Sequence, residues 1–145
     1  MKAVLDTNFL ISGLRWKGPP FKCLAAAENR VYQLLTSEEI LAELENVLVR
    51  KFPFDQNEIS IMVQHIRDIS QRVVITTRLR VIAEDATDDK VIETAINGDA
   101  DYIVSGDRHL IKLSTYHDIK IISPAEFLKL MAGSSPLPLD SIGSE

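Results

Sequence analysis

Sulfur chemistry is almost absent from this sequence: Cys23 is the single cysteine among 145 residues. No internal disulfide can form, and the composition fits a reducing cytoplasm. Cys23 falls in an Ala- and Leu-rich helical stretch, and reads as a small buried apolar residue. Histidine is scarce too. His65, His109 and His117 make no ligand pair with one another or with Cys23, so no zinc site is expected. No glycine-rich phosphate loop is present. Long apolar runs are missing, which excludes a transmembrane helix. The opening residues, MKAVLDTNFLISGLRWKG, carry one lysine before a short apolar stretch that Asp6 and Asn8 interrupt. They do not make a signal peptide. Positive charge is also in short supply: 16 Lys and Arg against 21 Asp and Glu leave a net charge of −5. That excludes a protein that grips nucleic acid through a broad basic surface. It leaves room for an enzyme with a local basic rim and a bound metal, or for a basic partner protein covering an acidic site.

What is present is a globular composition, 46% hydrophobic and 26% charged, of a length suited to one domain. Lys2–Asp6 reads as a buried strand ending abruptly in polar residues. A helix follows from Asn8 to Leu14, broken by Gly18-Pro19-Pro20. Phe21–Asn29 is a second helix, and Val31–Leu35 a strand. Thr36 or Ser37 caps the next helix, which runs to about Arg50 and buries Ile40, Leu41, Leu44, Val47 and Leu48. Asp55–Ile69 is a further amphipathic helix. Arg72–Thr76 is β-branched and strand-like. Asp88–Asn97 is a helix with Gly98 placed as its C-terminal cap. Tyr102–Ser105 and Ile119–Ile122 are strands, with a short helix between them and a final helix after Pro124. Strands alternating with helices predict an α/β fold with a central parallel sheet covered on both faces. The domain spans residues 1–132, and residues 133–145 read as a flexible tail.

Four carboxylates stand where a structural protein rarely leaves an unpaired charge: Asp6, Glu43, Asp88 and Asp107. Asp6 and Asp107 each end a predicted strand. If those strands are neighbours, both project into one crevice at the carboxyl edge of the sheet, where ligands bind in open α/β folds. Each is equally placed to cap the helix that follows it. Asp88 is in register with Val91, Ile92, Ala95 and Ile96, the apolar stripe of its helix, and so turns towards the sheet. Asp85 and Asp89 are solvated or outer supports of that carboxylate. Glu43 and Glu45 flank opposite sides of a buried helix face, and spacing does not choose between them. Asn8 and Ser12, one helical turn apart, are placed to steady Asp6 or a bound water. Gathering like charges is unfavourable unless a cation neutralises them. A divalent cation in an acidic cleft is a common means of hydrolysing phosphodiesters.

Asp6-Thr7-Asn8 after the first strand, a glutamate on the helix after the second, Asp88 before an Ile/Ala-rich helix and Ser105-Gly106-Asp107 after a strand resemble the PIN domain family. The segment ADYIVSGDRHL is similar to the family's late motif. The likeness runs from Lys2 to about Met131, and is strongest to bacterial and archaeal toxin components of VapC-like toxin–antitoxin systems. It implies a three-layer α/β/α sandwich and an Mg²⁺- or Mn²⁺-dependent ribonuclease, often a homodimer and often held inactive by an antitoxin. It selects Glu43 over Glu45, and matches Asp6, Glu43, Asp88 and Asp107 to the family's acidic quartet. Asn8 matches the polar residue of the first motif. Two positions depart from the pattern. His109 stands where many relatives carry an acid, which bears on a second metal site or on metal preference. The proline common before Asp88 is missing.

On this basis Asp6, Asp88 and Asp107 are the expected metal ligands, and Glu43 helps to bind or position water. Arg15, Lys17 and Arg108 are candidate contacts to substrate phosphates. Two rivals remain. One is a degenerate PIN module that binds RNA or a protein without cutting. The other is a phosphatase with Asp6 as nucleophile, which Asn8 disfavours because that chemistry wants a second aspartate there.

Overall fold

The computed structural model describes residues 1–76 and 86–134, excepting the side chains of residues 86–88 and 134. The chain begins with β1 (Lys2–Leu5), α1 (Thr7–Arg15), α2 (Pro19–Glu28) and β2 (Gln33–Thr36). It continues through α3 (Glu38–Lys51), α4 (Gln56–Ile69) and β3 (Ser70–Arg72). Next come α5 (Ala86–Asn97), β4 (Tyr102–Val104), α6 (Arg108–Leu113), β5 (Thr115–Tyr116), β6 (Ile119–Ile122) and α7 (Pro124–Ser134). The strands form one sheet in the order β3-β2-β1-β4-β6-β5. All pairings are parallel except β5 with β6, a two-residue antiparallel edge. Helices flank this sheet, as the alternation of elements predicts.

The strand order dictates where a ligand fits. The chain moves outward from β1 to β2 to β3, then returns to the other side of β1 for β4 and β6. Crossovers keep one hand, so this reversal sends the connections to opposite faces and opens a crevice between β1 and β4. Val4 pairs with Ile103 and Leu5 with Val104, which brings the carboxyl ends of the two strands level.

The core explains why the elements hold. Leu5, Leu34, Leu35, Ile103 and Val104 fill the sheet, and Leu44, Leu48, Ile66, Ile92 and Phe127 close on it, all almost fully buried. The ring of Tyr32 meets Phe127 edge-on at 4.8 Å, and its hydroxyl donates to the Cys23 carbonyl at 2.9 Å. Cys23 is itself buried, and desolvation pushes its thiol up to about 12, so it is chemically quiet. The helices α1 and α2 meet closely at Gly13. A Cβ there would stand 2.6 Å from Leu24 Cδ1 and 3.0 Å from the Pro20 carbonyl. Ser37 caps α3 and shares a 2.8 Å hydroxyl bond with Thr94 of α5. Thr94 donates to the Lys90 carbonyl, so Ser37 is the donor in that shared bond.

Several boundaries differ from the sequence expectation. The prolines after Gly18 open α2 and do not merely end α1, because proline fits the first turn of a helix. The third strand lies at Ser70–Arg72, earlier than the β-branched run Arg72–Thr76. Its partner β2 stops at Thr36, and beyond Arg72 Val73 still donates to that strand, at 2.7 Å to the Thr36 carbonyl. Gly98 does not cap α5 in the left-handed conformation. Asp99 does, at φ 53°, and Gly98 is needed for packing, since a Cβ there would meet Leu35 and Val73 at 2.8 Å. Helix α7 reaches Ser134, so the first two residues assigned to the tail are helical. The remainder of the tail lies outside the described residues.

Candidate active site

Asp6 follows β1 directly and caps α1, its Oδ1 accepting from the Phe9 amide at 2.8 Å. Asp107 stands three residues beyond the end of β4 and caps α6, its Oδ1 accepting from the His109 amide at 2.7 Å. Both capping roles are therefore filled. They do not compete with a shared site, because each carboxylate also lines one cavity of about 350 Å³ with Asn8, Ser12, Pro20 and Gly106.

Ser105 ties the two aspartates together. Its hydroxyl donates to Asp6 Oδ2, and its oxygen accepts from the Asp107 amide at 2.9 Å. Asp6 is 7% exposed and Ser105 wholly buried, whereas Asp107 is half-buried. Burial raises the Asp6 carboxyl above 3.8, against the hydrogen bonds from Ser105 and Phe9, and the nearby charge of Asp107 adds to the rise. Ser105 is the site residue that the sequence analysis assigned no role. Its signal was its place in the Ser-Gly-Asp motif. Two more buried hydroxyls, Thr7 Oγ1 and Thr36 Oγ1, find no hydrogen-bond partner among the described residues. Both lie at the carboxyl edge of the sheet, Thr7 next to Asp6 and Thr36 at the end of the adjoining strand β2.

The other predicted residues are placed as follows. Asn8 is exposed and Ser12 half-buried, both on the cavity side of α1. Glu43 is half-buried on α3 and Glu45 exposed, but among the described residues Glu43 does not line the cavity. His109 is exposed on the first turn of α6. Asp89 is half-buried on α5. Asp88 lies in the first turns of α5, but its side chain is outside the described residues, as is all of Asp85. The stripe that oriented Asp88 is wider than its spacing suggests. Glu93 and Thr94 are buried as well as Val91, Ile92 and Ala95, so α5 is enclosed on more than one side.

Among the described residues, no three acidic, histidine or cysteine side chains stand close enough to hold a metal by themselves. The donor set still fits a hard cation. The cavity offers two carboxylates, an amide and a hydroxyl, all oxygen ligands, and Mg²⁺ needs only one or two carboxylates while keeping several waters. A buried aspartate beside a second acid is also a site that gains from neutralisation.

The sequence model of the PIN domain matches residues 2–109. The chain belongs to the PIN domain family. A solved structure of VapBC2 from Rickettsia felis, bound to a DNA fragment from its promoter, includes a chain of similar fold. The TM-score is 0.63 at 13% identity, covering 85% of this chain and 98% of that one. No curated protein matches the sequence.

Proposed function

We propose that the chain is a metal-dependent endoribonuclease and the toxin component of a toxin–antitoxin pair. The observation that carries this is the meeting of Asp6 and Asp107, from neighbouring strand ends, over one oxygen-lined cavity at the reversal of the sheet. Asp6 and Asp107, with Asp88, would hold Mg²⁺ or Mn²⁺, and Glu43 would position water. Such an ion supplies a water of lowered pKa and offsets charge growing on the scissile phosphate.

The chain's own residues prepare that chemistry. The Ser105 hydroxyl and the Phe9 amide fix both oxygens of Asp6, so the carboxylate cannot rotate away from the cavity. The Asp107 amide holds Ser105 in turn, so the two aspartates move together. Asn8 and Ser12 supply polar atoms to a water or a phosphate oxygen. Arg108, exposed directly after Asp107, would be a contact to the substrate backbone. The similar fold found in a VapBC assembly supports an antitoxin partner for this chain. The family resemblance supports a homodimer. A lone cysteine supports a cytoplasmic site of action. Among the described residues no helix is long and apolar enough to cross a membrane.

The test is cleavage of single-stranded RNA in Mg²⁺ or Mn²⁺. EDTA abolishes it, and Asp6→Asn and Asp107→Asn each slow it by about a hundredfold or more. Cutting at the wild-type rate by a folded Asp6→Asn protein rules the mechanism out. Metal-independent cutting does the same.

A further inference from the structure

Trp16 is 61% exposed, an unusual place for the largest apolar side chain. It lies one helical turn beyond Ser12, its amide donating to the Ser12 carbonyl at 3.0 Å. Pro20 follows four residues later, so Trp16 sits in the chain between two residues that line the cavity. The Arg15 guanidinium lies over the indole, 4.7 Å from its centre, and over the Phe52 ring at 4.3 Å. This holds the indole from one side and leaves its remaining surface to solvent.

The charge of its own segment has one sign. From Thr7 to Ala27 the chain carries no acidic residue, yet it holds Arg15, Lys17 and Lys22, in a protein of net charge −5. All three cations are exposed, and Phe21 beside Lys22 is 42% exposed. Rings set next to cations in the segment Arg15-Trp16-Lys17 and in Phe21-Lys22 suit a polyanion that carries flat bases. An apolar protein segment would need the rings and gain nothing from the cations.

We infer that Trp16 is a stacking platform for one base of a single-stranded nucleic acid, with Arg15, Lys17 and Lys22 meeting its phosphates as the strand enters the Asp6–Asp107 cavity. This rests on the proposal that the chain acts on RNA, and adds the feature that seats the strand. Stacking reads no base edge, so the platform favours single strands over duplex and is tolerant of sequence.

Trp16 is the single tryptophan, so fluorescence excited at the red edge of indole absorption, beyond that of the tyrosines, reports it alone. The full chain is titrated with a short 2′-O-methyl oligouridylate in Ca²⁺, which takes the same oxygen ligands. A sugar-phosphate chain of equal length without bases is the control. The oligonucleotide quenches the fluorescence to saturation and the control does not. By anisotropy, Trp16→Ala weakens binding on the order of tenfold to a hundredfold, and Trp16→Phe restores most of it. The exposed position keeps both variants folded, which circular dichroism checks. If the oligonucleotide binds and RNA is cut, but fluorescence is unmoved and Trp16→Ala binds equally well, the platform is wrong and the ribonuclease proposal stands. Equal quenching by the base-free chain also overturns the platform. If quenching comes only from an apolar peptide, the surface is a protein-docking site and the inference fails. Absence of both binding and cleavage overturns the platform and the ribonuclease proposal together.

Discussion

Asp6 is held where its charge is least welcome. It is buried and faces a second acid, both of which raise its carboxyl, while bonds from Ser105 and Phe9 favour the ionised form. Its folded carboxyl therefore titrates above 3.8. The sign follows from linkage. Where the folded state binds the proton more tightly, ionisation costs stability. The cost is absent at pH below 3.8, grows as pH rises to the raised folded value, and is fully present above it. An Asp6→Asn protein lacks the cost. Its amide oxygen can still accept from Phe9, so the cap of α1 survives. In EDTA, Asp6→Asn should melt at or below the wild-type temperature under acid conditions and above it at neutral pH. The neutral gain is about 1 kcal/mol, or ~3 °C. Thermal melts at both pH values decide this, and a wild type that gains stability on ionising Asp6 refutes it. Such a site residue was legible because a strand-ending aspartate is a visible break in an apolar run. Ser105 was not, because its partner Asp6 is remote in sequence and meets it only when β1 and β4 pair. Glu93 was hidden for a related reason: it falls off the apolar stripe of α5 and is buried by neighbours that the helix period does not reveal.

Among the elements, helices announced themselves and strand ends did not. The buried face predicted for α3, from Ile40 to Leu48, is the observed one, because an apolar stripe at helical period has a single way to face the core. A strand of three or four residues has no comparable redundancy, so β3 begins two residues and ends four residues earlier than expected, and the two-residue β5 left no signal. Gly98 shows the same limit from another side. A glycine after a helix suggests a left-handed cap, but here Asp99 takes the positive φ while Gly98 makes room for Leu35 and Val73. These two accounts predict opposite mutants. Gly98→Ala should destabilise by about 1–3 kcal/mol, as overpacking does. Asp99→Gly should be neutral or stabilise by up to about 1 kcal/mol, since glycine adopts that φ freely. Urea denaturation of both proteins measures it. A harmless Gly98→Ala would return the site to the capping explanation. The consequence reaches the candidate site, because Gly98 fixes how closely α5, which carries Asp88, settles on β2.

Across the whole molecule, charge is partitioned more sharply than the total of −5 suggests. Asp6 and Asp107 face one cavity, while Arg15, Lys17 and Lys22 occupy a segment with no acid of its own, and Arg108 is an exposed cation next to Asp107 in the chain. On the proposed reading, a nucleic acid strand would be gripped by few cations, not by a basic face. Counterion release makes that countable. Each phosphate neutralised on a single strand contributes about −0.7 to the slope of log K against log salt. Three or four contacts give a slope of about −2 to −3, so affinity falls about fifteenfold to sixtyfold between roughly 50 and 200 mM salt. A broad basic surface making roughly six to ten contacts would give about −4 to −7. Anisotropy titrations of the 2′-O-methyl oligonucleotide at several KCl concentrations read the slope directly. The paired variant Lys17→Gln, Lys22→Gln should make it shallower by about 1.4, two contacts at about 0.7 each. A steep slope that the pair leaves unchanged would place the strand on other cations. The shallow slope has a functional corollary: with so little held by phosphate attraction, most of the hold on a strand would come from the proposed stacking on Trp16 and from an ion held by the carboxylates.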